Sequence, residues 1–366
     1  LESLQKVFHC RYQYHHPVHG SASYGGTTGS TKGCPTDNVP ELPLIDIYNA
    51  YLYRRVQWTI NGLKAHTQAT NSSTLFSGNS YNLDVLHLMG WNLYDFFGPE
   101  VNYLNHFGRE APHAAKMADA LGKPMVAVLP GPNYDYLNTH SLHHAPAWWT
   151  AQTYAFGHQL SYAHFGWATE GNYTSDAAAH RPVFNFVLSN PALFDGFDPV
   201  EQVAVLVDSA ATRVGKSTST EVLSQMLEHH IPAGLVVAGD ELLFTKVLTA
   251  DELSPYQKVY VPGELVVEGS QRSVVEAGMA AGRVEVYRSM KQVLSQITPL
   301  IEVLEGEGGL LVLPRRKVAG GQTPASHAAH LLTASPRAHG ATASCALTGA
   351  PPPRTTLNMS RRLAAG

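Results

Sequence analysis

Residues 201–244 read EQVAVLVDSAATRVGKSTSTEVLSQMLEHHIPAGLVVAGDELLF, and their rhythm decides the fold class. VAVLV at 203–207 is an apolar, mostly β-branched run of strand length, the pattern of a strand covered on both faces. Residues 218–230 read as a helix, GLVVA at 234–238 as a second strand, 240–248 as a helix, and KVYV at 258–261 as a third strand. Strand and helix in strict alternation imply a parallel sheet flanked by helices, a compact doubly wound unit over residues 200–318. Within it, residues 271–304 read as mostly helical and 310–313 as one more strand. The unit has no Gly-x-Gly-x-x-Gly, so no nucleotide is assigned to it.

The same alternation, more loosely written, runs backwards toward the start of the chain. Residues 41–66 predict a helix, because Leu44, Ile47, Tyr48, Tyr51, Leu52, Val56 and Ile60 recur at spacings of three and four. Short strands are expected at 74–77, 95–97, 125–129 and 159–165, with helices at 101–121 and 147–157 between them. In LGKP, Gly122 is the expected helix stop and Pro124 precedes a strand. Polar and aromatic clusters follow successive strands: Ser77-Gly78-Asn79, Gly98-Pro99-Glu100, Pro130-Gly131-Pro132-Asn133 and His164-Phe165-Gly166-Trp167. In a (β/α) barrel such strand ends face one cavity, so residues 1–195 are expected to form a partial TIM-type barrel. Before it, one short strand is expected at 7–12 and loops at 9–36; the Ala/Pro/Ser/Thr/Gly/His-rich stretch 319–366 is expected to be poorly ordered.

Bulk properties narrow the function classes. In 366 residues, 44% are hydrophobic and 15% charged, the balance of a globular protein with room for two cores. A net charge of −4 argues against nucleic acid or an anionic membrane as partner, and no apolar run is long enough to span a bilayer. Cys10, Cys34 and Cys345 show no CxxC spacing, so neither a disulfide framework nor a zinc site is indicated. Most of the 19 His and 17 Tyr precede residue 185 among Trp, Asn and Gly, the composition of a wide polar-aromatic cleft.

Several fragments, taken in order, resemble barrel-type glycoside hydrolases followed by a flavodoxin-like domain, of the general type of the family forty-two β-galactosidases. GCPTDNVPE at 33–41 is similar to the fourth barrel strand, and WWTAQTYAFGHQLSYAHFG at 148–166 to the helix leading into the last one. EQVAVLVDSA, HHIPAGLVVAGDELLF and YQKVYVPGEL resemble the smaller domain, and LLVLPRRKV at 310–318 the exit toward a terminal β-domain. The resemblance implies hydrolysis of glycosidic bonds in a poly- or oligosaccharide, no organic cofactor, and a homo-oligomer held through the smaller domain. The match has gaps: the early barrel strands have no counterpart, Val39 follows Asn38 where the family carries its acid/base Glu, and the strand MVAVLP has no nucleophile.

Glycoside hydrolysis needs two carboxyl groups across the scissile bond, one protonated and one ionised. Asp37, Glu41, Asp95 and Glu100 are the candidates at strand ends, and Asp37 with Glu100 is the favoured pair. Glu100 closes the run YDFFGPE, whose apolar character would favour an acid. Helix-capping roles explain both acids equally well: Asp37 before the helix at 41–66, Glu100 at the positive end of the next. A sugar-binding wall would draw on Asn38, Asn79, Tyr81, Trp91, Asn133, His140, His143, Trp148, His164 and Trp167, since aromatic faces cover a pyranose and amides bond its hydroxyls. The bland alternative puts the tryptophans in the core and the histidines on loops.

Two rivals remain. H-x-x-H-H at His140, His143 and His144 lacks a third ligand at helical offset, so no metal is assigned. AATRVGKS at 210–217 fits a relaxed phosphate-binding loop between a strand and a helix, with Lys216 for phosphate and Ser217 for magnesium. A non-catalytic carbohydrate-binding relative is the other alternative.

Overall fold

The computed structural model describes residues 45–81, 91–103, 109–141, 145–161, 177–213, 216–240, 244–305, 310–317, 327–333, 344–347 and 357–358. The predicted strand at 7–12 and loops at 9–36 lie outside these. The first element is helix α1, Ile45–Thr70, close to the predicted span. Two members of its apolar stripe stand largely in solvent, however: Tyr51 is 53% and Val56 47% exposed. The helix is held instead at its far end, where Lys64 Nζ donates to Leu93 O (3.0 Å) and Asp95 Oδ1 (3.1 Å).

Four short parallel strands follow, β1 (Asn79–Tyr81), β2 (Gly98–Glu100), β3 (Val126–Val128) and β4 (Gln159–Ser161), lying side by side in chain order. Helix α2 (Glu110–Ala120) joins β2 to β3, and α3 (Gly131–His140) with α4 (Ala145–Ala155) joins β3 to β4. Pairing begins later than predicted on the first two strands, at 79 rather than 74 and at the Phe97–Met125 bridge rather than 95, with Asp95 holding the turn before β2. Its carboxylate accepts the Phe76 N–H at 2.8 Å. The helix expected from 101 starts at Glu110; Val101–Tyr103 continue extended, with Val101 N–H bonded to Val128 O. Gly122, at φ +63°, stops α2 as expected. Among the described residues no closed barrel forms; the four strands make an open parallel sheet.

Helix α5 (Ala177–Ser189) and strand β5 (Phe197–Pro199) lead into β6 (Val203–Asp208), the short helix α6 (Ser209–Arg213), α7 (Ser219–Glu228) and β7 (Ala233–Ala238). Then come α8 (Ala250–Leu253), β8 (Lys258–Val261), α9 (Gly269–Ala280), β9 (Val284–Val286) and α10 (Met290–Gln296). Strands β6 to β9 form a second parallel sheet in the order β7-β6-β8-β9, with β6 and β7 buried at every residue, as continuous apolar runs require.

Two expectations fail here. Residues 244–248, the described part of the helix expected at 240–248 beyond Asp240, are not helical: Gly239 N–H bonds Lys246 O, and the buried Gln271 side chain donates to Lys246 O and accepts from Leu248 N–H. That side chain satisfies the backbone groups a helix would have satisfied internally. Residues 271–304 are only partly helical, since Gly282 (φ +69°) ends α9 and releases Val284–Val286 to extend the sheet. The remaining strands β10 (Ile301–Glu305), β11 (Leu310–Lys317), β12 (His327–Thr333), β13 (Ser344–Leu347) and β14 (Leu357–Asn358) build two small antiparallel sheets, β12-β11-β5 and β10-β13-β14. Three of these strands, β12, β13 and β14, fall within 319–366. Non-local pairing with β10 and β11 places them, which local composition does not report.

Both parallel sheets share one hydrophobic core, running from Phe97 and Met125 through Met117 to Leu235 and Tyr260. Helix α2 is the joint, packing on β7 and α7. Its Ala111, Ala114, Ala115 and Ala118 are small enough for close approach, and Met117 between them is buried. At the lower end of the joint sits a charged cluster. Lys116 Nζ pairs with Glu201 Oε1 at 2.6 Å, Tyr256 Oη donates to Glu201 Oε2 at 3.1 Å, and His158 Nε2 faces Asp119 Oδ1 at 3.3 Å. Burial pushes the Asp119 carboxyl up, but His158, Lys116 and Arg315 outweigh it and hold it below its usual range.

Candidate functional site

Side chains of the β1–β4 sheet alternate between two environments. Phe97, Pro99, Val101 and Tyr103 are buried beneath helices, whereas Gly98, Glu100 and Asn102 are only half-buried on the other face. Register aligns Tyr81, Glu100, Val128 and Ser161 in one row across all four strands. A parallel sheet is normally covered on both faces, so this open, partly polar face is the feature of the first half that invites a ligand. Glu100 is the last residue of β2, at the carboxyl edge where α/β folds place their chemistry.

One contact joins two of the predicted site residues. Asn79 Nδ2, on the neighbouring strand, donates to Glu100 Oε1 at 2.8 Å, aiming the carboxylate across the open face. Asp95, another acid at these strand ends, is differently placed. The Phe76 N–H, then Lys64, hold its carboxyl below the ordinary Asp range despite the opposing effect of desolvation, so it stays ionised and offers no proton.

Asn133 is not part of a sugar-facing wall. It is fully buried; its Oδ1 accepts the Tyr103 N–H at 2.9 Å and its Nδ2 donates to Asn102 Oδ1 at 3.0 Å. This amide braces the loop after β2 against the start of α3, and leaves Asn102, which the sequence reading passed over, at the half-buried edge beside Glu100. Tyr103 continues the brace: its hydroxyl meets Thr153 Oγ1 at 2.8 Å, and burial pushes it well above the usual phenol range. Since Thr153 Oγ1 donates to Trp149 O, Tyr103 is the donor to Thr153.

The tryptophans divide similarly. Trp91 packs its edge on Phe244 (centroids 6.2 Å apart) with its indole N–H buried, and Trp148 packs, partly buried, on the shared core. Both contribute packing first, for the reason that large apolar rings flanking a core are drawn into it. His140 is exposed and stacked on Tyr136 at 4.0 Å. Asp37, Asn38, Glu41, His143, His164 and Trp167 lie outside the described residues, as do the side chain of Tyr81 and the His143–His144 part of the proposed metal motif. Among the described residues no group of three His, Cys, Asp or Glu could hold a metal ion, and no helix is long and apolar enough to cross a membrane.

The phosphate-loop reading of 210–217 meets a specific obstacle. Such a loop needs free backbone N–H groups. Here residues 209–213 are helical, the Ala211 N–H bonds Asp208 Oδ1 (3.0 Å), and the Lys216 N–H bonds Ala211 O (2.8 Å). Asp208 Oδ2 accepts from Val266 and Val267 as well, both at 2.7 Å, so a buried carboxylate already fills the crevice between β6 and β8. Lys216 points to Glu264 at 3.0 Å. An Asp ending an apolar strand was visible in the sequence; that its partners lie 58 and 59 residues on was not.

The fold and site define a mixed α/β protein with parallel sheets and an acid at one carboxyl edge. No family model matches the chain, and no curated protein does. Among solved structures it is similar to the α-L-fucosidase isoenzyme 2 from Paenibacillus thiaminolyticus, a glycoside hydrolase, at 17% identity and a TM-score of 0.37. That likeness covers 70% of this chain and 38% of the fucosidase chain, and by its extent it carries no argument about family or activity.

Proposed function

We propose that this chain is a glycoside hydrolase-like protein acting on a poly- or oligosaccharide, with Glu100 as one of two carboxyl groups. In this reading β1–β4 are part of a (β/α) barrel wall, β6–β9 are a flavodoxin-like domain in the order 2-1-3-4, and the protein assembles as a homo-oligomer. The observation that carries it is Glu100 at the carboxyl edge of a parallel sheet in chain order, oriented by Asn79 on the open face. Asp37 is the proposed second acid. Ser161, exposed at the end of the aligned row, supplies a hydroxyl for sugar hydroxyls.

Reducing-end release from a panel of plant and algal polysaccharides is the test. Glu100→Gln keeps the shape and the Asn79 contact while removing the charge, and should lower turnover by about 10²–10⁴-fold. An unchanged rate in Glu100→Gln ends the assignment. A second reading, a non-catalytic carbohydrate-binding relative, is favoured by Asp95 being committed to Lys64 and Phe76, which withdraws that acid from catalysis. Saturable sugar binding without any product in wild type would select it.

A further inference from the structure

The outward face of helix α1 sets exposed aromatic rings beside exposed arginines. Trp58 is 79% exposed and Tyr51 53% exposed, and seven residues of helix place them ~10.5 Å apart and about 20° apart around the axis. Arg54 and Arg55, both exposed, lie between them on that face, and the Arg55 guanidinium sits 6.0 Å from the centre of the Tyr51 ring. Gly62, one turn beyond Trp58, leaves open space where a side chain would stand. Residues 47–70 contain no Asp or Glu, and the two arginines form no ion pair among the described residues. Lys64, the other cation of the helix, is turned inward to Asp95.

Such a strip has, among the described residues, a positive charge without an ion-pair partner beside two strongly exposed rings, one of them under the Arg55 guanidinium. We propose that it is a docking surface for an anionic polysaccharide, one carrying uronate or sulfate groups. Trp58 and Tyr51 cover the apolar faces of successive sugars, Arg54 and Arg55 pair with their acidic groups, and the gap over Gly62 lets the chain continue flat along the helix. A nucleic acid is the poorer fit, since two arginines neutralise too few phosphates in a chain of net charge −4. A bilayer is the poorer fit because the arginines sit between the rings, on the face an interfacial helix would bury. The inference rests on the carbohydrate reading above but names a different surface, remote in sequence from Glu100.

The test measures binding to the full chain carrying Glu100→Gln, so hydrolysis does not erode the ligand. Polygalacturonate and a sulfated galactan are compared with the desulfated galactan, phosphatidylserine vesicles and single-stranded RNA. The charged polymers should bind best. Trp58→Ala should weaken them about tenfold or more, the loss expected from one buried aromatic contact. The pair Arg54→Gln with Arg55→Gln should erase the preference for charged over neutral polymer. Gly62→Asp, at an open and exposed position that folding tolerates, should weaken charged polymers about threefold and leave neutral ones alone. Charged-polymer binding unaffected by Trp58→Ala and Gly62→Asp, or no binding above that of vesicles or RNA, overturns the inference. If wild type releases reducing ends while this binding is absent, the docking surface alone has failed. If helix-dependent binding persists with no hydrolysis, the catalytic reading alone has failed.

Discussion

Replacing Gly234 by Ala isolates what the charged cluster at the joint contributes. Gly234 is the second residue of the buried strand β7 and is not among the glycines of positive φ, so Ala is conformationally acceptable there. On backbone grounds alone the change should stabilise by about 0.4–1 kcal/mol, because Ala restricts the unfolded chain. The structure reverses that sign. A Cβ at 234 would stand 1.9 Å from Glu201 Oε2, an oxygen held by Tyr256 while its twin pairs with Lys116. The carboxylate must move, and the bond from a Lys116 side chain only 5% exposed is lost with it. A charge-assisted hydrogen bond contributes about 1.5–3 kcal/mol, so a net loss of about 1–2 kcal/mol is expected. Urea unfolding followed by tryptophan fluorescence measures it. In a Glu201→Ala background the obstacle is gone, and Gly234→Ala should become neutral or mildly stabilising. A single Gly234→Ala variant as stable as wild type, or equal effects in both backgrounds, refutes the argument.

Asp208→Ala leaves the N–H groups of Val266, Val267 and Ala211, the last two buried, without their acceptor and should cost about 3 kcal/mol or more by the same measurement. His113, whose Nε2 meets Ser219 Oγ at 3.3 Å, is lowered to about 4 by burial, so the folded chain stays unprotonated there while the unfolded chain takes up a proton. Stability should therefore rise with pH between about 4 and 6.5, with a contribution of about 3 kcal/mol lost on the acid side. His113→Gln should flatten that limb of the stability–pH profile. Asp95→Asn removes the partner of Lys64 and weakens the bond to Phe76 N–H, and hydrogen exchange in the last turns of α1 should accelerate several-fold while β6 is unaffected.

Legibility differed between the two halves for a physical reason. VAVLV and KVYV are buried on both faces, so their composition alone marks them as strands, and both appear within a residue of where they were expected. In the first half each strand is three residues long, too short for periodicity to mark its register; the first two slipped from their predicted positions, whereas β3 and the start of β4 fall where expected. The 240–248 segment reads as a helix locally, yet the side chain of Gln271, more than twenty residues on, takes the Lys246 carbonyl and the Leu248 N–H. Site residues followed the same division. Glu100 and Asn79 were identifiable as polar groups at strand ends. That Asn79 reaches Glu100, that Asn133 turns inward, and that Asp95 is bound to Lys64 depend on neighbours brought in by pairing.

From the linear chain alone came the alternation of strand and helix, the covered strands of the second half, the helix stop at Gly122 and the concentration of polar and aromatic groups before residue 185. These are local properties, set by side-chain chemistry at a spacing of a few residues. Tertiary structure alone decided that both sheets share one core through α2, that Asp208 closes the crevice a phosphate would enter, and that the aromatic–arginine face of α1 stays in solvent. Each depends on which distant surfaces meet, and burial is a property of the meeting rather than of the residue.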